Sequence, residues 1–499
     1  MHNRHSARLL VALTVVFAAT DVSAQQAPAT MSLDEAVQLA RRYSPSYRQQ
    51  VNDEGVADWS VRAAYGQLLP SLTVSGGMDW RGGGTPRFGQ FSGADLGLSR
   101  TPDYLFSDYA IRLGWTVSGG TFFRMAQERA SREATRARID AAAYALEADV
   151  SRAYLTALRA RDAVSLATQE LESAREALRL AEARHDAGSG TRLDVAQAEV
   201  EAGRAEVSVL QARSNAEMEK LRLLQRLGLD AVGDVELTTA LEVFEPTWSR
   251  DDLTNIAMQQ HPQLVSARAA ESASRAAARS ARMSYLPSVS FSGGWTGQAR
   301  TTRDEDYLID QAQDNAENRI RSCEATNDLY ARLADPLPPL DCSRYAFTAE
   351  MRDALLAAND VFPFDFAKRP PSFGMTISMP IFNGFTREAQ MQQASAAAED
   401  ARHQRREEEL NRRTTVATSY VALQTAYLSV AIEDRNVAAA AEQLELARER
   451  YRLGAGSILE LTQAQATKAR ADQARLTAIY AFHENLAALE AAVGRRLRP

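Results

Sequence analysis

Proline is missing from Thr121 to Thr239 and again from Ile381 to Arg498, although the chain holds 16 of them. Each gap can carry very long helices, because nothing in it removes a backbone donor. Cysteine is nearly absent: only Cys323 and Cys342 occur, both in one segment, so no CxxC pair exists for zinc or redox work. Histidine is scarce too. His185, His261, His403 and His483 each stand alone, without the clustered donors a metal centre needs. No HExxH, phosphate-loop or GxSxG pattern occurs, and Arg81-Gly82-Gly83-Gly84 lacks the lysine of a phosphate loop. With no nucleophile beside a base, the chain is expected to be no enzyme and to hold no cofactor or metal. An excess of positive charge is also lacking. Lys and Arg number 57 against 64 Asp and Glu, a formal net charge of −7, so nucleic acid is not an expected partner.

Past the N-terminus no apolar run of about eighteen residues is evident. The start itself reads as an export signal over 1–24: Arg4 and Arg8, an apolar stretch from Leu9 to Thr20, and a small-residue cleavage site at Val22-Ser23-Ala24. No cysteine lies near the cut, so a lipid-anchored N-terminus is not expected. In an exported chain Cys323 and Cys342 fit a disulfide better than two free thiols. The exported part is then either soluble or crosses a membrane as β-strands.

The chain is written twice. Leu69-Pro70-Ser71-Leu72-Thr73-Val74-Ser75-Gly76-Gly77 returns 217 positions later as Leu286-Pro287-Ser288-Val289-Ser290-Phe291-Ser292-Gly293-Gly294. The same shift carries Ser32 to Ser249 and Pro45 to Pro262, duplicating a helix cap and a helix first turn. Farther on, Arg184 to Ala198 matches Arg450 to Ala464 at a shift of 266. An insert in the second copy accounts for the change. Two repeats, 25–247 and 248–499, are expected.

Each repeat holds two stretches of period two, at about 71–80 and 108–118, then 288–297 and 373–382. Leu72, Val74, Met78 and Trp80 alternate with Ser71, Thr73, Ser75 and Asp79; Phe373, Met375, Ile377 and Met379 alternate with Gly374, Thr376 and Ser378. One apolar and one small polar face over about ten residues is what a lipid-facing barrel strand needs. Trp80, Tyr109, Trp115 and Trp295 are candidates for an interfacial girdle. Four strands cannot close a barrel, since single-chain barrels start at about eight, so several subunits must share one.

After the second strand of each repeat the period becomes about 3.5. Leu146, Val150, Ala153, Ala157, Ala160, Val164, Ala167, Leu171, Ala174, Leu178 and Ala181 keep 4,3 spacing, and Val416, Leu423, Ala426, Val430, Val437, Ala440 and Leu444 repeat it. So alanine-rich a seam buries little apolar area per helix, and such helices need neighbours on more than one side. Helical hairpins are expected at 121–228, with a tip at 186–192, and at 386–496, with a tip at 452–458. The longer arms would run roughly 100 Å. Gly188, Gly190, Gly454 and Gly456 suit helix ends at those tips.

A doubled strand–strand–hairpin unit ending in Tyr451-Arg452-Leu453-Gly454-Ala455-Gly456-Ser457-Ile458-Leu459-Glu460-Leu461 resembles the TolC-like outer-membrane efflux protein family over almost the whole exported chain. The resemblance implies a mixed α and β fold: a homotrimer with a twelve-stranded outer-membrane β-barrel, four strands per protomer, continued by an α-helical coiled-coil tunnel through the periplasm. It implies the exit duct of a tripartite efflux or type I secretion system, with a periplasmic adaptor and an inner-membrane efflux pump or ABC exporter as partners. In that family the tunnel closes at the tips. By position Tyr451 matches a linking tyrosine, Asp194 an acidic tip residue and Glu460 an acidic ring, while Gln463 replaces a second acidic residue. Gly456 stands where the link has an arginine, and Arg192 is the candidate substitute. Gly188, Gly190, Leu193, Gly454, Gly456 and Leu459 are the candidate adaptor-docking tip. The carboxylates also suit the positive ends of helices whatever else they do, and the glycines suit plain turns.

Residues 298–370 form the insert, acidic and carrying both cysteines, with helical spacing near Thr348 to Ala358. Its place opposite the helices puts it outside the cell. The alternative is a soluble periplasmic coiled-coil adaptor or scaffold; two tandem hairpins, each after paired amphipathic strands, disfavour it.

Overall fold

The computed structural model describes residues 28–85, 87–92, 101–230 and 235–498; the expected export signal lies outside them. In chain order come α1 (Leu33–Tyr43), α2 (Pro45–Gly66), β1 (Ser71–Arg81), β2 (Tyr104–Ser118), α3 (Gly119–Asp186) and α4 (Arg192–Leu227). The second half follows with α5 (Arg250–Gln260), α6 (Pro262–Arg282), β3 (Ser288–Thr302), α7 (Glu305–Ala331), α8 (Ala349–Asn359), β4 (Ser372–Ser378), α9 (Thr386–Arg452) and α10 (Ile458–Val493). The chain divides into two compact units, one of 1–59, 129–275 and 396–499, the other of 60–128 and 276–395.

The second unit is built on an antiparallel sheet in the order β1-β2-β3-β4. Ser71 pairs with Gly114, Gly114 with Ser292 and Ser292 with Gly374, so the small polar residues share one face. Hydroxyls link neighbouring strands there, Thr116 to Ser290 at 3.1 Å and Ser288 to Ser378 at 2.9 Å. The opposite face carries Leu72, Val74, Met78, Phe373, Met375 and Ile377, all more than half exposed. An apolar sheet face with no core against it is the reverse of a half-buried sheet in a soluble protein. The outer edges of β1 and β4 have no strand beside them among the described residues.

Strand ends differ from expectation where polar sequence hides or breaks the period. β2 begins at Tyr104 and β3 runs to Thr302, because the two pair along their full length although Gln298–Thr302 carries no apolar face. β4 ends at Ser378 rather than 382. Pro380 has no amide hydrogen to donate to a ladder, and Gly384 and Phe385, at φ of 67° and 64°, turn the chain into α9. The girdle is also less regular than expected. Trp80 and Trp115 lie near opposite strand ends, whereas Trp295 sits mid-strand opposite Ile111, and the Tyr109 ring is met edge-on by Phe366 at 4.9 Å. In the insert, α7 is a 27-residue helix at a place where none was expected, and Cys323 and Cys342 form a disulfide.

The first unit has two equivalent cores. One joins Ala36, Val37 and Ala40 of α1 to Val150, Tyr154 and Leu158 of α3 and to Leu223, Leu224 and Leu227 of α4. Its counterpart joins Leu253 and Ala257 of α5 to Val416, Leu423 and Val430 of α9 and to Leu486, Leu489 and Val493 of α10. Both copies lock the hairpin's end in the same way. Gly228 ends α4 at φ 77° against the carbonyl of Tyr43, and Gly494 ends α10 at φ 85° against His261. Only glycine enters that backbone region without strain while leaving no Cβ to collide.

The 4,3 seams pack inward: Val150, Ala157, Ala160, Ala167, Leu171, Ala174 and Ala181 of α3 are buried. On α9, a second 4,3 row stays exposed, made of Val421, Leu428, Ile432 and Leu446. Leu193, Val200, Val207 and Leu210 form a similar exposed row on α4. One 18-residue stretch of α9 is apolar on average and only 22% buried. That corrects the sequence reading, in which no such run was evident. By length and composition alone it could cross a membrane, and its apolar side chains are divided between a packed and a bare face.

Candidate functional site

The first tip forms because α3 runs out at Asp186 and Gly188 takes φ 74°. The amides of Ser189 and Gly190 both donate to the Arg184 carbonyl, at 2.9 Å each. Thr191 then caps α4, its Oγ1 accepting from the Asp194 amide at 3.2 Å while Asp194 Oδ2 accepts from the Thr191 amide at 3.1 Å. The second tip repeats this. Gly454 takes φ 77°, the Ala455 amide donates to the Arg450 carbonyl, and Ser457 caps α10 by accepting from the Glu460 amide at 3.2 Å. Gly190 and Gly456 lie so near the preceding helix that a Cβ would come 3.0 Å from the His185 amide nitrogen and 3.1 Å from Arg450 Cβ respectively. All four glycines therefore have a reason inside their own turns.

The two tips meet at Tyr451, which is 1% exposed and packs with Ala177, Ala181, Ala198, Ile458 and Leu461. Arg184 reaches across from the first hairpin. Its Nη1 donates to the Tyr451 carbonyl at 2.7 Å, its Nη2 to the Ser189 carbonyl at 3.0 Å, and its guanidinium lies 4.4 Å from the Tyr451 ring centre. The Tyr451 hydroxyl is buried and meets no partner among the described residues. Burial, with the nearby Asp194 carboxylate, pushes that phenol above its ordinary range, and Arg184 opposes the shift. Higher on the hairpins Arg448 pairs with Glu176, and Gln465 Nε2 donates to the Ser173 carbonyl at 3.0 Å.

The arginine that touches Tyr451 within one chain is Arg184. Arg192 is exposed, on the first turn of α4. Asp194 is engaged as a cap, and Glu460 lies 3.6 Å from Arg450. Gln463 is exposed. Leu193, Leu453 and Leu459 leave 65%, 74% and 57% of their surface bare, an apolar ending on helices whose flanks are charged. Arg184 escaped sequence reasoning because a spacing of 267 residues carries no periodic signal; only the packing of hairpin on hairpin brings it to Tyr451. Among the described residues no cluster of side chains suits a metal ion.

The sequence matches the family model described as outer membrane efflux protein over residues 36–229 and 345–495, more than half of the chain. Protein CyaE of Bordetella pertussis is 28% identical over 278 residues, 53% of this chain and 54% of that protein. The chain therefore spans about half the length of the curated relative it matches. The fold is similar to solved structures of VceC from Vibrio cholerae (TM-score 0.65, 16% identity, 93% of this chain and 96% of that one) and of the open state of the Neisseria gonorrhoeae MtrE channel (0.65, 19%, 93% and 89%). A CusC structure gives a TM-score of 0.67 at 18% identity, covering 93% and 92%.

Proposed function

The chain belongs to the outer membrane efflux protein family, and on that premise we propose that it is the exit duct of a tripartite efflux or type I secretion system. Cargo handed over by a periplasmic adaptor and an inner-membrane transporter leaves the cell through it. The observation that carries this reading is the sheet: one bare apolar face, one small polar face and two edges with no strand beside them among the described residues. Lipid satisfies no backbone amide, so such edges can stand in a bilayer only if other strands pair with them. Four strands from each of three copies make a twelve-stranded barrel, with the polar face lining the lumen. The exposed second seam of α9 and the row on α4 give the helices what the same copies would bury.

The paired tips are the proposed periplasmic closure. Arg184 and Tyr451 hold the two hairpins of one protomer together, Glu460 and Gln463 border the opening, and Leu193, Leu453 and Leu459 are the surface for the adaptor. A soluble adaptor would have no use for an uncovered apolar sheet face, and that face sets the alternative aside.

Cell fractionation and planar-bilayer recording test the reading together. The protein should be recovered in detergent-extracted outer membrane as a trimer that conducts ions. Recovery as a detergent-free monomer in the periplasm would end the proposal.

A further inference from the structure

About two turns above the tip cluster the hairpins do not fill the space between them. Facing positions there carry small side chains, among them Ala174 on α3, Ala205 and Ser208 on α4, and Ala466 and Ala469 on α10. Larger residues close the neighbouring levels: Leu171 packs with Val209, and Leu461 lies in the tip core with Tyr451. The result is a cavity of about 420 Å³, bordered also by Leu166 and Leu444. That volume is within the range of small-molecule sites, roughly 300–1,000 Å³.

Charge bookkeeping at the cavity leaves one group over. Five charged side chains line it: Glu170, Glu201, Arg204, Lys468 and Asp472. Arg204 is paired with Glu201 at 2.7 Å and Lys468 with Asp472. Glu170 has no ion pair or hydrogen bond among the described residues and is half-buried. Burial, then the Asp472 carboxylate, raises its pKa, and Lys468 opposes this. An incoming cation would supply the missing partner, while Leu166, Leu444 and the alanines, set among polar side chains such as Gln169 and Thr462, would meet a flat hydrocarbon body.

We propose that this cavity is a binding station for an amphiphilic organic monocation, with Glu170 as the counter-ion and the alanine-lined walls of both hairpins enclosing its apolar part. An occupant touches α3, α4, α9 and α10 at once and so ties the two hairpins together. The proposal stands on the cavity alone and holds whether or not the chain conducts.

The test is fluorescence titration of the detergent-purified full chain with berberine, a planar monocation, and in parallel with anilinonaphthalene sulfonate, an anion of similar size. Berberine should bind saturably, one per chain. Glu170→Gln should weaken it about tenfold, the usual worth of one charge-assisted contact, and Ser208→Phe should abolish it by filling the space. The anion should neither saturate the site nor displace berberine. Full affinity in either folded variant, non-saturable uptake by the parent chain, or equal binding of the anion overturns the proposal. Helix content is compared by circular dichroism, and if Ser208→Phe does not fold, the near-isosteric Glu170→Gln decides.

Discussion

At the scale of single residues, the proposed closure at the tips would rest on a contact that is both a hydrogen bond and a cation–π stack. Arg184→Ala removes the donor to the Tyr451 carbonyl and the cap on its ring, a loss of roughly 1–3 kcal/mol. Three such links in a trimer would multiply the effect. Bilayer recordings of Arg184→Ala trimers should therefore show a conductance several-fold above the parent, with helix content and trimer yield unchanged. Arg192→Ala, which removes an exposed side chain, should leave conductance as it was. An equal rise in both variants would move the closing link elsewhere. Histidine gives the second prediction at this scale. Burial holds His483 down to about 4 and also lowers His261, whose Nε2 is 3.0 Å from the Ala491 carbonyl while its Nδ1 accepts from the Gln263 amide. Below an unfolded value near 6.5 the unfolded chain gains a proton that folded His483 refuses, until the pH reaches about 4. Stability should thus be flat above neutrality and fall as pH drops from about 6.5 toward 4, with a limiting slope of about 1.4 kcal/mol per pH unit from this group. Thermal melts in detergent at pH 7.5 and 5 check this. His483→Leu should lose part of the decline, and an unaltered decline would exonerate the residue.

At the scale of elements, α7 is the piece least able to stand by itself. Its 27 residues carry nine acidic or basic side chains, and Cys323 is its only buried residue. A helix polar on all sides has little to bury and is marginal in isolation. The disulfide to Cys342, with Asn327 bridging to the Leu340 amide and carbonyl, supplies the tertiary tie. Reduction, or Cys323→Ser, should raise amide exchange across 305–331 by orders of magnitude while β1–β4 and α9 keep their protection. Protection that survives reduction would make the side-chain contacts of Asn327 sufficient. The same physics explains which elements were legible beforehand. α3 and α9 announce themselves because a seam must recur every 3.5 residues for two helices to stay in contact, and proline can be excluded from them by inspection. β1 is legible because lipid demands strict alternation. The upper half of β3 is not, since Gln298 to Thr302 pair through backbone groups that any side chain permits. α7 has no period to read, and Arg184 finds Tyr451 only after two hairpins have packed.

At the scale of the whole molecule, the question is what covers the apolar surface that one chain leaves bare. On α9 the exposed Val421 and Leu428 stand five residues beyond the buried Val416 and Leu423, about 140° around a helix of 3.6 residues per turn. A helix with two such rows is made for two partners. One partner is present within the chain, and the other must come from outside it. Burying a leucine-sized side chain is worth roughly 1.5–3 kcal/mol, so Leu428→Glu with Leu446→Glu removes several kcal/mol from each proposed interface and adds unpaired charge. Neither residue belongs to the chain's own cores, so the protomer should still fold. Detergent extracts of the double variant should contain monomers of parental helix content where the parent gives trimers by light scattering. Trimers of undiminished stability would show that the second row faces water, and the barrel edges alone would then have to hold the assembly.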